Sequence, residues 1–347
     1  MKKCSHISPI GTYLLGFILL TVFVASIGLT QACSNKRPEP IAKYGFYFDT
    51  VIAITLYDAT KETLIDDCFT LAEKYEKLFS RTMNGSDVYN INHAGGQPVF
   101  VDLETIALIE QGLKYGKVSN GAFDITIGAV SDLWDFKSDS HALPSPSDIA
   151  QAVSTVSYHT IIIGQDTITL SNPNTQLDLG GIAKGFIADK MKEYLLSNGI
   201  TQGFINLGGN VLALGQRSDG QNYTFGIQKP FAKEGTSIAT VEITDQTVVT
   251  SGVYERYFEQ NGIRYHHILD PKTGYPYENN LLGVTIICPN SIDGDGLSTT
   301  CFALGLEKGM ELIESHKDTE AIFITDDFKL HITSGLGSTI PFKEISL

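Results

Sequence analysis

Cysteine and positive charge are both scarce in this 347-residue chain. Of five cysteines, Cys4 and Cys33 lie in an N-terminal segment, which leaves Cys68, Cys288 and Cys301, each in an apolar setting. An odd trio of that kind makes no disulfide framework and reads as buried thiols. No His/Cys cluster has zinc-ligand spacing, which argues against zinc. Lysine and arginine number 25 against 39 acids, a formal charge of −14, so a nucleic-acid surface is not expected. A phosphate ligand of such a chain must be held by a metal, a few local cations or helix N-termini. No internal repeat and no linker after Gly45 are evident. Helices and strands mix without regular βαβ alternation, which favours an α+β domain over a doubly wound parallel sheet.

One apolar run stands out, at residues 13–29, behind the basic pair Lys2 and Lys3. It is a little long for a signal-peptide core, and a short transmembrane anchor is the alternative reading. The run ends in Leu29-Thr30-Gln31-Ala32-Cys33, and a polar, unstructured stretch follows. That pattern resembles a bacterial lipoprotein signal, with the leucine one place further from the cysteine than usual. The expectation is a signal peptide over 1–32, lipid on Cys33, a flexible linker over 33–45 and one domain over 46–347. Cleavage removes two lysines and no acid, so the mature chain is more acidic still. The expected location is the inner membrane, lipid-anchored on the periplasmic side.

Apolar spacing predicts a first strand over 46–57 and a helix over 61–79 with Leu64, Cys68, Leu71, Tyr75 and Leu78 on one face. Asp102 caps a second helix, and 137–148 reads as a surface loop. A hairpin over 161–170, a helix over 182–196, short strands from Gly203 onward and a helix beginning near Asp295 follow. A last hairpin turns at Asp326-Asp327.

The densest run of polar and aromatic side chains is 251–276. Asn261-Gly262 marks a hairpin within it, carrying His267 and Asp270 to a tight turn. His266 and His267 are neighbours on a strand, so at most one faces a site, and His267 is the better candidate. Asp178-Leu179-Gly180-Gly181-Ile182-Ala183-Lys184-Gly185 puts an acid, two glycines and a lysine at a helix start. It is either an anion cradle or a strand-to-helix turn with an exposed lysine. Asp295 and Thr299 stand four apart on a helix, a carboxylate and a hydroxyl suited to Mg²⁺; the bland alternative is an Asp N-cap with Thr299 in solvent. Asn206-Leu207-Gly208-Gly209-Asn210 and Gly121-Ala122-Phe123-Asp124 each read, alone, as turn chemistry.

Asp-Leu-Gly-Gly-Ile-Ala-Lys-Gly at 178–185, Asn-Leu-Gly-Gly-Asn at 206–210, the Ser-Gly…Tyr-Glu-Arg-Tyr-Phe run at 251–258, His-Ile-Leu-Asp-Pro-Lys-Thr-Gly-Tyr-Pro at 267–276 and Asp-Gly-Leu-Ser-Thr at 295–299, in that order, together resemble the ApbE family from Phe46 to about Leu306. The resemblance implies a single ApbE-like domain of helices and mostly antiparallel sheet, and an exported lipoprotein that uses FAD as substrate with Mg²⁺ as cofactor. By likeness to the family the metal falls on the carbonyl of Gly181 and on Asp295 and Thr299, with Ser298 beside them. FAD contacts fall on Phe48, Thr82, Ala122, Phe123, Asp124, Asp178, Lys184 and Leu269. Phe48 replaces a usual methionine. Thr82 stands where many relatives carry an aromatic that packs on the flavin.

The implied reaction is FAD:protein FMN transfer. A Thr or Ser hydroxyl of an exported acceptor flavoprotein attacks the FMN-side phosphorus and AMP leaves. Lys184 and the amides of Gly180 and Gly181 assist, and His267 takes the proton. Asp270 braces the turn at Pro271. The acceptor expected is a subunit of a membrane redox pump, of the Na⁺-translocating NADH:quinone reductase or Rnf type. Thr82 raises an alternative, a Mg²⁺-dependent FAD pyrophosphatase giving FMN and AMP. A third reading is a non-catalytic flavin-binding lipoprotein, against which the Asp295 and Thr299 pair argues.

Overall fold

The computed structural model describes residues 39–57, 61–136, 142–217 and 219–345. The expected signal peptide and Cys33 lie outside them. Eight strands form one antiparallel sheet, in the spatial order Ile41–Tyr47 (β1), Thr50–Leu56 (β2), Gly203–Leu207, Asn210–Leu214, Thr247–Gly252, Leu281–Cys288, Glu320–Thr325 and Leu330–Ile332. Every residue of the Leu281–Cys288 strand is buried, which suits its continuous apolar run with neighbours on both edges. Helices Thr63–Phe79, Ala183–Ser197, Ser291–Leu304 and Leu306–Glu314 pack among themselves and against this sheet. A second antiparallel sheet of Tyr223–Gln228, Ser237–Ile243 and Phe342–Glu344 meets it where Tyr223 and Phe225 pack on Phe204. The fold is α+β, with almost all pairing antiparallel. Among the described residues no helix is long and apolar enough to cross a membrane.

The expected helices and hairpins are present, and three local expectations are corrected. The strand read over 46–57 is a hairpin, and its first strand starts at Ile41, inside the stretch read as linker. The turn falls on Phe48 and Asp49, whose φ angles of 55° and 58° are left-handed without a glycine to announce them. The backbone N–H of Phe48 donates to Glu76 Oε1 at 2.8 Å, which holds the turn from the Thr63–Phe79 helix. Of the loop read over 137–148, residues 137–141 lie outside the described residues, and its end is corrected to a helix at Pro146–Val153, with Pro in the first turn and Ser145 Oγ accepting from Asp148 N. The helix read from Asp295 starts at Ser291, so Asp295 lies inside it and is no N-cap. Its cap comes from elsewhere. Asp189, on the Ala183–Ser197 helix, accepts from the backbone N–H of Ser291 at 2.8 Å and of Ile292 at 2.9 Å. Burial pushes this carboxyl up to about 6, against those two hydrogen bonds.

Cys68, Cys288 and Cys301 are buried free thiols, as read. Burial pushes the Cys68 and Cys301 thiols up to about 12, so neither forms a thiolate near neutral pH.

Candidate functional site

Two helices and two strand ends converge on Asp295. Its helix is buried because its small residues let neighbours close in: a Cβ on Gly294 would meet Val249 and one on Gly296 would meet the ring of Tyr115. Asp295 is 5% exposed, and both of its oxygens are engaged. Oδ2 accepts from the backbone N–H of Gly185 at 2.6 Å, and Oδ1 accepts from Asn210 Nδ2 at 2.9 Å. Burial raises its pKa, and Lys184 and these two donors oppose the rise. Asn210 is fixed in turn by Ser291, whose Oγ donates to Asn210 Oδ1 at 2.6 Å.

Thr299 stands one turn further along. Its Oγ1 lies 3.0 Å from Ser251 Oγ, which is also 2.9 Å from Ser298 Oγ. Ser298 Oγ donates to the carbonyl of Asp295 at 3.0 Å. Ser251 and Asn210 are therefore parts of the site that sequence reasoning quoted within motifs without assigning a role. Their pairing with residues 48 and 85 positions away leaves no local signal.

Gly185 is required by this geometry. A Cβ there would lie 2.3 Å from the carbonyl oxygen of Ser291, in a backbone that cannot yield. Gly185→Ala is expected to lower stability by about 2 kcal/mol. It should also separate the Gly185 N–H from Asp295. Thermal unfolding checks the first effect, and an unchanged Tm would show that the two helices slide apart freely.

The Asp178–Gly185 segment behaves as a built turn. Asp178 Oδ1 accepts from Gly180 N at 2.9 Å, so the Gly180 amide is committed within the chain and not aimed at a phosphate. The backbone N–H of Asp178 donates to Ile125 O at 2.8 Å, which joins it to Ala122-Phe123-Asp124. Arg81 clamps the other side, with Nε 3.4 Å from Asp178 Oδ2 and a hydrogen bond to Asp132. Thr82 follows directly and is exposed, in a turn whose Thr82 and Met83 amides donate to Ser80 Oγ. Phe123 is buried against Tyr115, and its ring edge is where a Cβ on Gly181 would fall. The Asp124 carboxylate is spent on its own loop, accepting from Thr126 N and Oγ1 and from Tyr158 N.

The Asn261-Gly262 hairpin forms as read, with φ of 54° and 77° and strands Tyr257–Gln260 and Ile263–His266. His266 is buried, its Nε2 3.0 Å from Tyr277 O, whereas His267 leaves the strand half-buried. His267 Nδ1 lies 3.2 Å from Arg256 O; a carbonyl only accepts, so Nδ1 carries the proton and Nε2 keeps a free lone pair. Burial lowers its pKa to about 4, with nearby Arg256 and Lys184 acting the same way. Asp270 braces its turn through Lys272 N, as read. Leu269 is buried in a satellite core with Val130 and Trp134, and Tyr277 ties the segment to Ala122 through a 2.8 Å bond to its carbonyl.

Lys184 unites these parts. It sits in the first turn of the Ala183–Ser197 helix beside Gly185, whose N–H meets Asp295, and its charge is felt at Asp295 and, from two loop segments, at Glu255 and His267. Among the described residues no three His, Cys, Asp or Glu side chains gather as metal ligands. A cation here would rely on one buried carboxylate, a hydroxyl and carbonyl oxygens, with other positions left to water or phosphate. That donor set fits Mg²⁺ and suits neither zinc nor copper.

Comparison with known proteins agrees with this geometry. The ApbE family model matches residues 48–323. A FAD:protein FMN transferase of Klebsiella pneumoniae is 40% identical over 286 residues, 82% of this chain and 88% of the relative. One of Treponema pallidum is 34% identical over 329 residues, 89% and 91% of the two chains. The crystal structure of the ApbE protein of Thermotoga maritima superposes with a TM-score of 0.79 at 28% identity, over 85% of this chain and 97% of that one. The flavin transferase ApbE of Vibrio cholerae does so with 0.77 at 27% identity, over the same shares. The chain belongs to the ApbE family.

Proposed function

We propose that this chain, a FAD:protein FMN transferase by its relatives, moves FMN from FAD to a Thr or Ser hydroxyl of an exported flavoprotein and releases AMP. The observation that carries the reading is the buried Asp295 carboxylate, held by Gly185 N–H beside Lys184 and by Asn210, one helical turn from the Thr299–Ser251 hydroxyl pair. Asp295, Thr299 and the Gly181 carbonyl would hold Mg²⁺, which supplies charge neutralisation at the pyrophosphate when bound. Lys184 adds a fixed positive charge for the developing phosphate oxygens. His267 Nε2 takes the acceptor hydroxyl's proton as its oxygen bonds to the FMN phosphorus. The bridging oxygen departs with AMP. By the family resemblance Phe123, Asp178 and Leu269 would contact the flavin nucleotide, and the bonds from Asp178 N to Ile125 O and from Tyr277 Oη to Ala122 O support this by joining their segments.

The chain is read further as a lipoprotein anchored through Cys33 on the periplasmic side of the inner membrane, with a redox-pump subunit of the Na⁺-translocating NADH:quinone reductase or Rnf type as acceptor. The N-terminal residue pattern supports the first reading and the family resemblance the second.

One incubation tests the activity. The mature chain with FAD and Mg²⁺ should add the mass of FMN to a threonine-bearing acceptor protein and release AMP. Free FMN without acceptor would instead establish hydrolysis, and neither product would end both enzymatic readings. The hydrolytic alternative draws on Thr82, exposed at the site with no aromatic side chain of its own. Thr82→Tyr should tighten FAD binding about fivefold or more, since a stacked aromatic is worth about 1 kcal/mol beyond its burial. Titration of flavin fluorescence measures this, and equal affinities would remove the stacking argument.

A further inference from the structure

Among the described residues β1 is an edge of the eight-stranded sheet, and the outward face of its hairpin with β2 carries no charge. In the antiparallel register Ala42 pairs with Thr55, Tyr44 with Ala53 and Phe46 with Val51, so these six side chains face the same way. Tyr44 is 71% exposed, Phe46 68% and Val51 59%. Lys43 points to the opposite face, where Glu62 and Asp66 pair with it. An uncovered apolar edge of this kind is a hazard for a soluble protein unless something occupies it.

Chain length says what does. If Cys33 carries lipid, as proposed above, seven residues, or eight Cα–Cα steps, separate the anchor from Ile41. Fully extended they reach at most about 28 Å, so β1 is kept near the bilayer. The exposed β1–β2 face itself carries no charged side chain, so interfacial tyrosine and phenylalanine are the lipid contact open to it. We infer that the Tyr44, Phe46 and Val51 face rests on the lipid surface, which lays β1 flat along the bilayer. The turn at Phe48 stands about 20 Å from Ile41 along the strand. Lying flat keeps that turn, and the flavin site beside it, at head-group level, where a membrane-bound acceptor presents its hydroxyl. The inference rests on the lipid anchor, and flotation reads the anchor separately from the contact.

The experiment uses the full lipidated chain on phosphatidylcholine vesicles, with and without dibrominated acyl chains. Trp134 is the sole tryptophan and is 4% exposed, so the parent protein serves as reference. Tyr44→Trp should add emission that brominated lipid quenches at least twofold, equally at low and at about 0.5 M salt. Trp134 should stay unquenched. Flotation without that quenching overturns the inference and leaves the anchor standing. Failure to float overturns the anchor and the inference with it. Doubling of particle mass without lipid quenching, reversed by Phe46→Ser, would assign the face to a second copy. In the Phe46→Ser/Val51→Ser variant, transfer to a membrane-embedded acceptor should fall about fivefold while transfer to a soluble acceptor domain is unchanged. An equal fall on both acceptors would also overturn the inference.

Discussion

Asp295→Asn is expected to lower FMN transfer about a thousandfold, the range typical of removing one preorganised charge from a reaction centre. The change keeps the shape of the side chain and removes what the site needs from it. The carboxylate accepts one N–H on each oxygen, from Gly185 and from Asn210. An amide turns one of those oxygens into a donor and sets it against a donor, stranding a buried polar group at a cost of about 2 kcal/mol. The negative charge that would hold Mg²⁺ is also gone, so added Mg²⁺ should not restore the rate. Chelating the metal from the parent enzyme should reproduce the loss, and returning Mg²⁺ should reverse it. The mass gained by the acceptor over time measures transfer, and thermal unfolding of the same samples measures the structural cost. Transfer within tenfold of the parent would remove Asp295 from the metal site.

That prediction was half legible in the sequence. The spacing of Asp295 and Thr299 put them one turn apart, and so they are. Their helix begins earlier than residue patterns indicate because its cap, Asp189, comes from 102 positions upstream. A local reading looks for the cap beside the helix and so takes Asp295 for it. The partners that orient the pair, Asn210 and Ser251, sit at strand ends that only the closed sheet brings near. Asn261-Gly262 was readable because its turn type demands positive φ and its residues allow it. The turn at Phe48 and Asp49 was not, because a bulky phenylalanine rarely adopts that conformation, Asp49 alone is a weak signal for it, and Glu76 holds it from another element. Local chemistry thus placed the hairpins and most helices, while the orientation of the site came from long-range hydrogen bonds.

His267→Gln should reduce transfer by two to three orders of magnitude, as general-base catalysis is worth about 10²–10⁴. FAD affinity should change little, because glutamine's amide can still donate to the carbonyl of Arg256 in place of Nδ1–H. The pH dependence separates this role from a structural one. Burial holds His267 neutral down to about 4, well below the ordinary histidine value of about 6.5. A base is active when unprotonated, so kcat/KM, which reports the free enzyme, should stay level from neutral pH through 6.5 and fall only toward 4. In the complex the pyrophosphate's negative charge favours the imidazolium, so the acid limb of kcat should lie at higher pH than that of kcat/KM. Stability must be followed alongside. His266 is likewise depressed to about 4 by burial. A histidine that is protonated when unfolded and neutral when folded leaves stability intact above 6.5 and erodes it as pH falls toward 4. Rates are therefore compared only where circular dichroism shows the fold intact. An acid limb of kcat/KM at 6.5, or a His267→Gln enzyme within threefold of the parent, would take the proton from His267 and give it to another group.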